Sequence, residues 1–307
     1  MTALPGAAPV PPPKTGGETR ATLRGCALMC LSMACFAVED ALIKTLGGTI
    51  PPAQIVWLLG LGGTLVLALV LKATGKPLWV PELRSRRVVL RSAADAVGAS
   101  LFVPAVVLIP LATASAVIQA TPLVVAMSAA LFLGATVGWR RWAAILVGFG
   151  GVLLILRPGA DSFDPAVLLA VGGMVALAAR DLATRGLPAE LSGVLLSMLA
   201  FAAIVPAGLA VQLALGVPFV LPDAGEWAKL GGCLGFGLIG YLAIVGATRA
   251  GDLAVISSFR YSRMLFALIL AAIFFGERPD LWTLVGIAVI VGAGLYTLIR
   301  EARLARG

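Results

Sequence analysis

The chain has 307 residues, of which 60% are hydrophobic and 12% charged, and its mean hydropathy is +1.02. Too few polar residues remain to cover a soluble globule of this size, which points to a polytopic all-α membrane protein. The net charge of +8 does not indicate a nucleic-acid partner, because the basic residues sit in loops and tails, as membrane topology requires.

The first twenty residues carry Pro5, Pro9, Pro11, Pro12 and Pro13 and read as a disordered tail. The helix that follows is too long, and too charged at Glu39 and Asp40, for a cleaved signal segment, so no targeting peptide is expected. Apolar runs of about twenty residues suffice to cross a bilayer. Ten are predicted, at roughly 25–46, 53–71, 90–110, 113–133, 140–156, 165–184, 191–212, 227–247, 254–275 and 281–299. The third and eighth are the least regular, because of Arg91, Asp95, Pro104 and the glycine-rich Gly231–Gly240 stretch.

Lysine and arginine placement sets the orientation. With the N-terminus inside, sixteen loop and tail bases fall on the inner side and three (Arg157, Lys229, Arg278) on the outer. Both termini are therefore expected to be cytoplasmic.

The chain also repeats itself. Glu39-Asp40 with Lys44 aligns with Arg180-Asp181 and Arg185 at an offset of 141, and Leu133-Gly134-Ala135 aligns with Phe275-Gly276-Glu277 at 142. Two such matches predict a duplication, with repeats over 21–157 and 158–307 after the 1–20 tail. Five helices per repeat is an odd number, so ten transmembrane helices form two inverted five-helix repeats. That arrangement recurs in transporters, with the binding site between the halves.

Charges in hydrocarbon are costly and mark functional candidates. Neighbouring helical residues point about 100° apart, so Glu39 and Asp40 cannot share one partner. Asp40 is expected to pair with Lys44, and Asp181 with Arg185, each an acid four residues before a base. Glu39 then needs another cation or a proton, and Arg180 is the expected mate. That pair reads either as a coupling group that changes partners between states or as a static tie between the halves. Ser257-Ser258-Phe259-Arg260-Tyr261-Ser262-Arg263 places two arginines at i, i+3, suited to gripping a carboxylate or phosphate. Against that stands simple neutralisation by Asp181, Asp95 or Glu39. Tyr261 offers a hydrogen bond or a packing face. Gln119 and Thr121, the aligned residues of the fourth run, either line a cavity or bond between helices, and Pro122 can loosen the backbone there. Arg91 and Asp95 read as an i,i+4 pair at the membrane surface.

No enzyme signature is present. Without histidine there is neither a metalloprotease motif nor a Ser-His pair, and Cys26, Cys30, Cys35 and Cys233 read as packing, not as a metal site. No phosphate-cradling loop and no sizeable soluble domain occur, so ATP-driven transport by this chain alone is not expected, and no cofactor is predicted.

The two halves, the Leu133-Gly134 and Phe275-Gly276-Glu277 helix endings, and the Phe259-Arg260-Tyr261-Ser262-Arg263 and Glu277-Arg278-Pro279-Asp280 wording resemble the drug/metabolite transporter superfamily, in its ten-helix EamA-type branch. The likeness spans about residues 22 to 300, departing at Ala135, where Glu is common in the family. It implies a secondary carrier of the bacterial inner membrane that works by alternating access. It implies a central cavity near Glu39, Gln119, Arg180, Tyr241, Arg260 and Arg263. Cargoes in the family include amino acids, nucleosides, S-adenosylmethionine, vitamins such as riboflavin, and toxic compounds. The resulting expectation is a proton-coupled or facilitative carrier for a small anionic or zwitterionic metabolite, embedded among membrane lipids. A membrane enzyme acting on a lipid-linked substrate and a channel are its rivals; a channel needs a continuous polar stripe, whereas the charges here cluster.

Overall fold

The computed structural model describes residues 16–132, 138–158, 163–184, 187, 191–248, 250 and 253–304. The proline-bearing stretch, the Leu133-Gly134-Ala135 ending and Arg185 lie outside the described residues. Among those described, every regular element is helical: α1 (Gly16–Leu46), α2 (Pro52–Ala73), α3 (Arg86–Leu108), α4 (Leu111–Ile118), α5 (Thr121–Phe132), α6 (Trp139–Leu156), α7 (Val167–Thr184), α8 (Gly193–Ala214), α9 (Ala224–Thr248), α10 (Leu253–Ser258), α11 (Ser262–Phe275) and α12 (Leu281–Leu304), with short 3₁₀ turns at Pro81–Arg84 and Phe259–Tyr261.

Nine segments among the described residues are long and apolar enough to cross a membrane, where ten were expected. The fifth expected run forms α6, whose apolar part, Trp142–Leu156, is shorter because Arg140 and Arg141 occupy its first turn. The expected irregularity also moves. The third and eighth runs form continuous helices, α3 and α9, while the fourth and ninth are interrupted midway. Pro122 has no N–H to give the Ile118 carbonyl, so the ladder fails there and the Thr121 hydroxyl takes that carbonyl instead, at 2.5 Å. At the matching register, the Phe259–Tyr261 3₁₀ turn separates α10 from α11. Irregular backbone at such depth persists only where protein or a cavity surrounds it.

The helices pack most extensively as α1 with α9, α3 with α7, α2 with α8 and α6 with α12. Exchanging the two halves of the chain turns the first pairing into the second and leaves the other two unchanged. Glycine permits the tightest of these contacts. A Cβ on Gly151 would stand 2.9 Å from the Gly286 carbonyl oxygen, and one on Gly286 2.7 Å from that of Gly151. From α2, Gln54 bonds both backbone groups of Val220, and Trp57 donates to Gln212 at 2.7 Å, pinning the α8–α9 connection.

Asp280 caps α12, accepting from the Thr283 amide at 3.0 Å, and it also pairs with Arg157. Bonding to Thr283 first, and to Arg157 next, holds its carboxyl down at about 2. A carboxyl depressed on folding stabilises above its unfolded value of about 3.9 and loses that stabilisation as pH falls towards 2. Asp280→Ala is therefore expected to cost about 1 kcal/mol at neutral pH, the usual worth of a helix cap. In detergent melts its deficit should close as pH falls from about 4 to 2; a deficit independent of pH contradicts this account.

Candidate functional site

Asp40, buried near the end of α1, receives the Arg263 guanidinium of α11 at 2.6 Å, and that guanidinium also lies 5.6 Å from the Phe36 ring centroid. The expected Asp40–Lys44 pair does not form. Lys44 is one turn nearer the helix end and reaches Glu277 at 3.3 Å and the Ile109 carbonyl at 2.6 Å. The buried acid takes the arginine of the neighbouring helix instead.

Glu39 does not meet Arg180. α1 packs on α9 and α11, whereas α7 packs on α3, so the two residues belong to different helix pairs. The Glu39 carboxylate lies against Gly237 of α9, where a Cβ would stand 3.1 and 3.2 Å from its two oxygens. It makes no hydrogen bond or ion pair among the described residues.

Arg180 binds Asp181 through Nε at 3.0 Å and Nη2 at 2.8 Å, and its Nη1 lies 3.3 Å from Asp95. The other Asp95 oxygen is 3.3 Å from Arg91, which continues to the Leu196 carbonyl at 2.9 Å and the Thr184 hydroxyl at 3.1 Å. The expected Arg91–Asp95 contact thus exists, within a longer chain of alternating charge across α3, α7 and α8. The Asp181–Arg185 pairing cannot be described, and Asp181 is engaged by Arg180.

The two interrupted segments face each other. The Gln119 side-chain amide, at the α4–α5 break, donates to the Arg260 carbonyl in the 3₁₀ turn at 3.1 Å. Arg260 is exposed as a residue, and its guanidinium makes no hydrogen bond or ion pair among the described residues. Asp181, Arg180 and Arg263 are charged residues that act on it electrostatically. Tyr261 turns elsewhere: it is buried against α12, and a Cβ on Gly294 would stand 1.6 Å from its hydroxyl, so its place is packing. Tyr241 of α9 lies against the start of α8, its hydroxyl 2.8 Å from the position of a Gly193 Cβ.

Three groupings result: Gln119 with Arg260, Asp40 with Arg263 beside Glu39, and Arg91-Asp95-Arg180-Asp181. The sequence reading missed Asp95 as the bridge, Gly237 as the residue that admits Glu39, and the Lys44–Glu277 contact. Glu277 stood out in the helix-ending wording, but nothing there pointed to Lys44.

The sequence profile of the EamA-like transporter family matches twice, over residues 23–157 and 164–299. The chain belongs to the EamA-like transporter family. Among its EamA relatives, the S-adenosylmethionine uptake transporter of Rickettsia prowazekii is 26% identical over 290 residues, covering 92% of this chain and 94% of that one. The pseudopaline exporter of Pseudomonas aeruginosa is 29% identical over 279 residues, covering 88% and 94%. One solved crystal structure shares the fold with a TM-score of 0.60 at 22% identity, covering 94% of this chain and all of that one. With nine apolar spans among the described residues, this EamA chain is a multi-pass membrane protein related to small-molecule transporters.

Proposed function

We propose that the chain is a secondary carrier that moves a small polar metabolite, anionic or zwitterionic, across the inner membrane by alternating access, with both termini cytoplasmic. The observation that carries this reading is Arg260: a cation with no side-chain partner among the described residues, exposed where two interrupted helices face each other midway along their length. Arginine in a dry site binds carboxylate or phosphate through paired, charge-assisted hydrogen bonds. The exchange of helix pairings between the halves supports two repeats of opposite orientation, each supplying one broken helix to the site.

Glu39 is the coupling group in this reading. It is a carboxylate without a counter-ion among the described residues, next to the Asp40–Arg263 pair, and Arg263 acts electrostatically on both Glu39 and Arg260. A substrate acid drawing on Arg263 alters the field at Glu39, which links cargo to a proton. The related carriers act in opposite directions, uptake and export, so their likeness leaves direction to experiment.

A melting-temperature screen of the purified carrier against amino acids, nucleosides and vitamins tests the cargo class, since a ligand selective for the folded state raises that temperature. Stabilisation only by ligands without an acid group overturns the role of Arg260. In proteoliposomes loaded with a stabilising ligand, Glu39→Gln is expected to flatten the pH dependence of transport. An unchanged pH profile removes Glu39 from coupling.

A further inference from the structure

Lys44 and Glu277 hold together a joint that neither of their own helices contains. Between α3 and α4 the chain turns at Ile109-Pro110, leaving carbonyls at the end of α3 and amides at the start of α4 without helical partners. Glu277 supplies the acceptors, taking the Leu111 amide at 2.9 Å and the Ala112 amide at 3.3 Å. Lys44 supplies the donor, reaching the Ile109 carbonyl at 2.6 Å and the Val106 carbonyl at 3.4 Å. Each charge also suits the helix dipole it meets, an anion at an N-terminus and a cation at a C-terminus. The two side chains lie 3.3 Å apart with only 14% and 13% of their surfaces exposed, and the Phe275 ring lies 5.5 Å from the ammonium. Gly276 places Glu277 by adopting a φ of 62°, while the Glu277 amide bonds back to the Ala271 carbonyl at 3.0 Å. One contact therefore ties α1, α3 and α4 to the end of α11, across the two matched halves of the chain.

In the repeat register the sequence does not duplicate this pair. Lys44 aligns with Arg185, another base, but Glu277 aligns with Ala135. At that register the sequence therefore repeats the base of the pair but not its acid. We propose that Lys44 and Glu277 are gating residues: their contact holds shut the face where α1, α3, α4 and α11 meet, and its one-sidedness biases the resting carrier to open at the other face. This rests on the alternating-access reading above, and a two-state equilibrium is biased by whatever contact one state has and the other lacks.

Thiol labelling in proteoliposomes tests it, read as the excess over the four native cysteines. A cysteine at Thr113, in the first turn of α4 and half-buried, reports the latched face; one at Val255, its register mate and exposed, reports the other. In otherwise wild-type protein, a membrane-impermeant maleimide applied to each side in turn should label position 255 at least tenfold faster than 113. Lys44→Met and Glu277→Gln should each raise labelling at 113 several-fold, and the double substitution should go no further than the singles. Equal labelling of 113 and 255 in the wild-type background overturns the latch, a result that needs no folded variant. So does labelling at 113 that is indifferent to both substitutions in protein that remains monodisperse. Transport of a stabilising ligand is measured on the same vesicles. Transport with indifferent labelling sinks the latch alone, and latch-dependent labelling without transport of any ligand sinks the carrier reading alone.

Discussion

Arg263→Met is expected to destabilise the folded protein by about 3–5 kcal/mol, the usual cost of stranding one partner of a buried ion pair. Arg263 meets Asp40 at 2.6 Å, with only 6% of the Asp40 side chain exposed. It is also the cation that acts on Glu39. Its loss leaves two adjacent acids without that cation in a low-dielectric bundle. Arg263→Lys should recover part of the stability, because an ammonium keeps the charge but not the fork of donors. Asp40→Asn combined with Arg263→Met should recover more than half of the loss, since no stranded charge remains at position 40. Reversible unfolding in mixed micelles measures all three. A double variant as unstable as the single contradicts a cost that arises from the unpaired acid.

That pair also shows where sequence reasoning held and where it failed. Apolar run length located the spans, because a bilayer demands it whatever the tertiary arrangement. The internal match registered because similar residues at offsets of 141 and 142 survive in the chain without any fold. Partner choice did not register. Spacing by four suggested Asp40 with Lys44, and symmetry suggested Glu39 with Arg180, yet both depend on which helices become neighbours. α1 lies against α9 and α11, so Asp40 finds an arginine 223 residues away, and Glu39 finds the empty side of Gly237. Local geometry ranks partners within one helix, while in the membrane the deciding contacts lie between helices. The same cause hid Lys44–Glu277. The breaks at Gln119 and Phe259–Tyr261 were half visible, because Pro122 removes a donor in one, whereas the other has no proline to announce it.

Arg260→Gln should separate binding from folding in a way that Arg263 cannot. Its guanidinium supports no other side chain among the described residues, and its backbone carbonyl, the group Gln119 holds, survives the substitution. The unliganded melting temperature should therefore stay close to wild type, as for substitutions within about 0.5 kcal/mol. Ligand affinity should fall sharply. A hydrogen bond to a charged group is worth about 1.5–3 kcal/mol, which converts to a loss of roughly 10- to 150-fold. Arg260→Lys should keep an intermediate affinity, because a point charge still attracts an acid group but binds it through fewer fixed donors. Calorimetric titration of wild type and both variants with a ligand found by the melting screen gives these ratios directly. Unchanged affinity in Arg260→Gln, or a collapse of the unliganded fold comparable to that of Arg263→Met, would make Arg260 a structural residue and move the cargo's acid group elsewhere in the bundle.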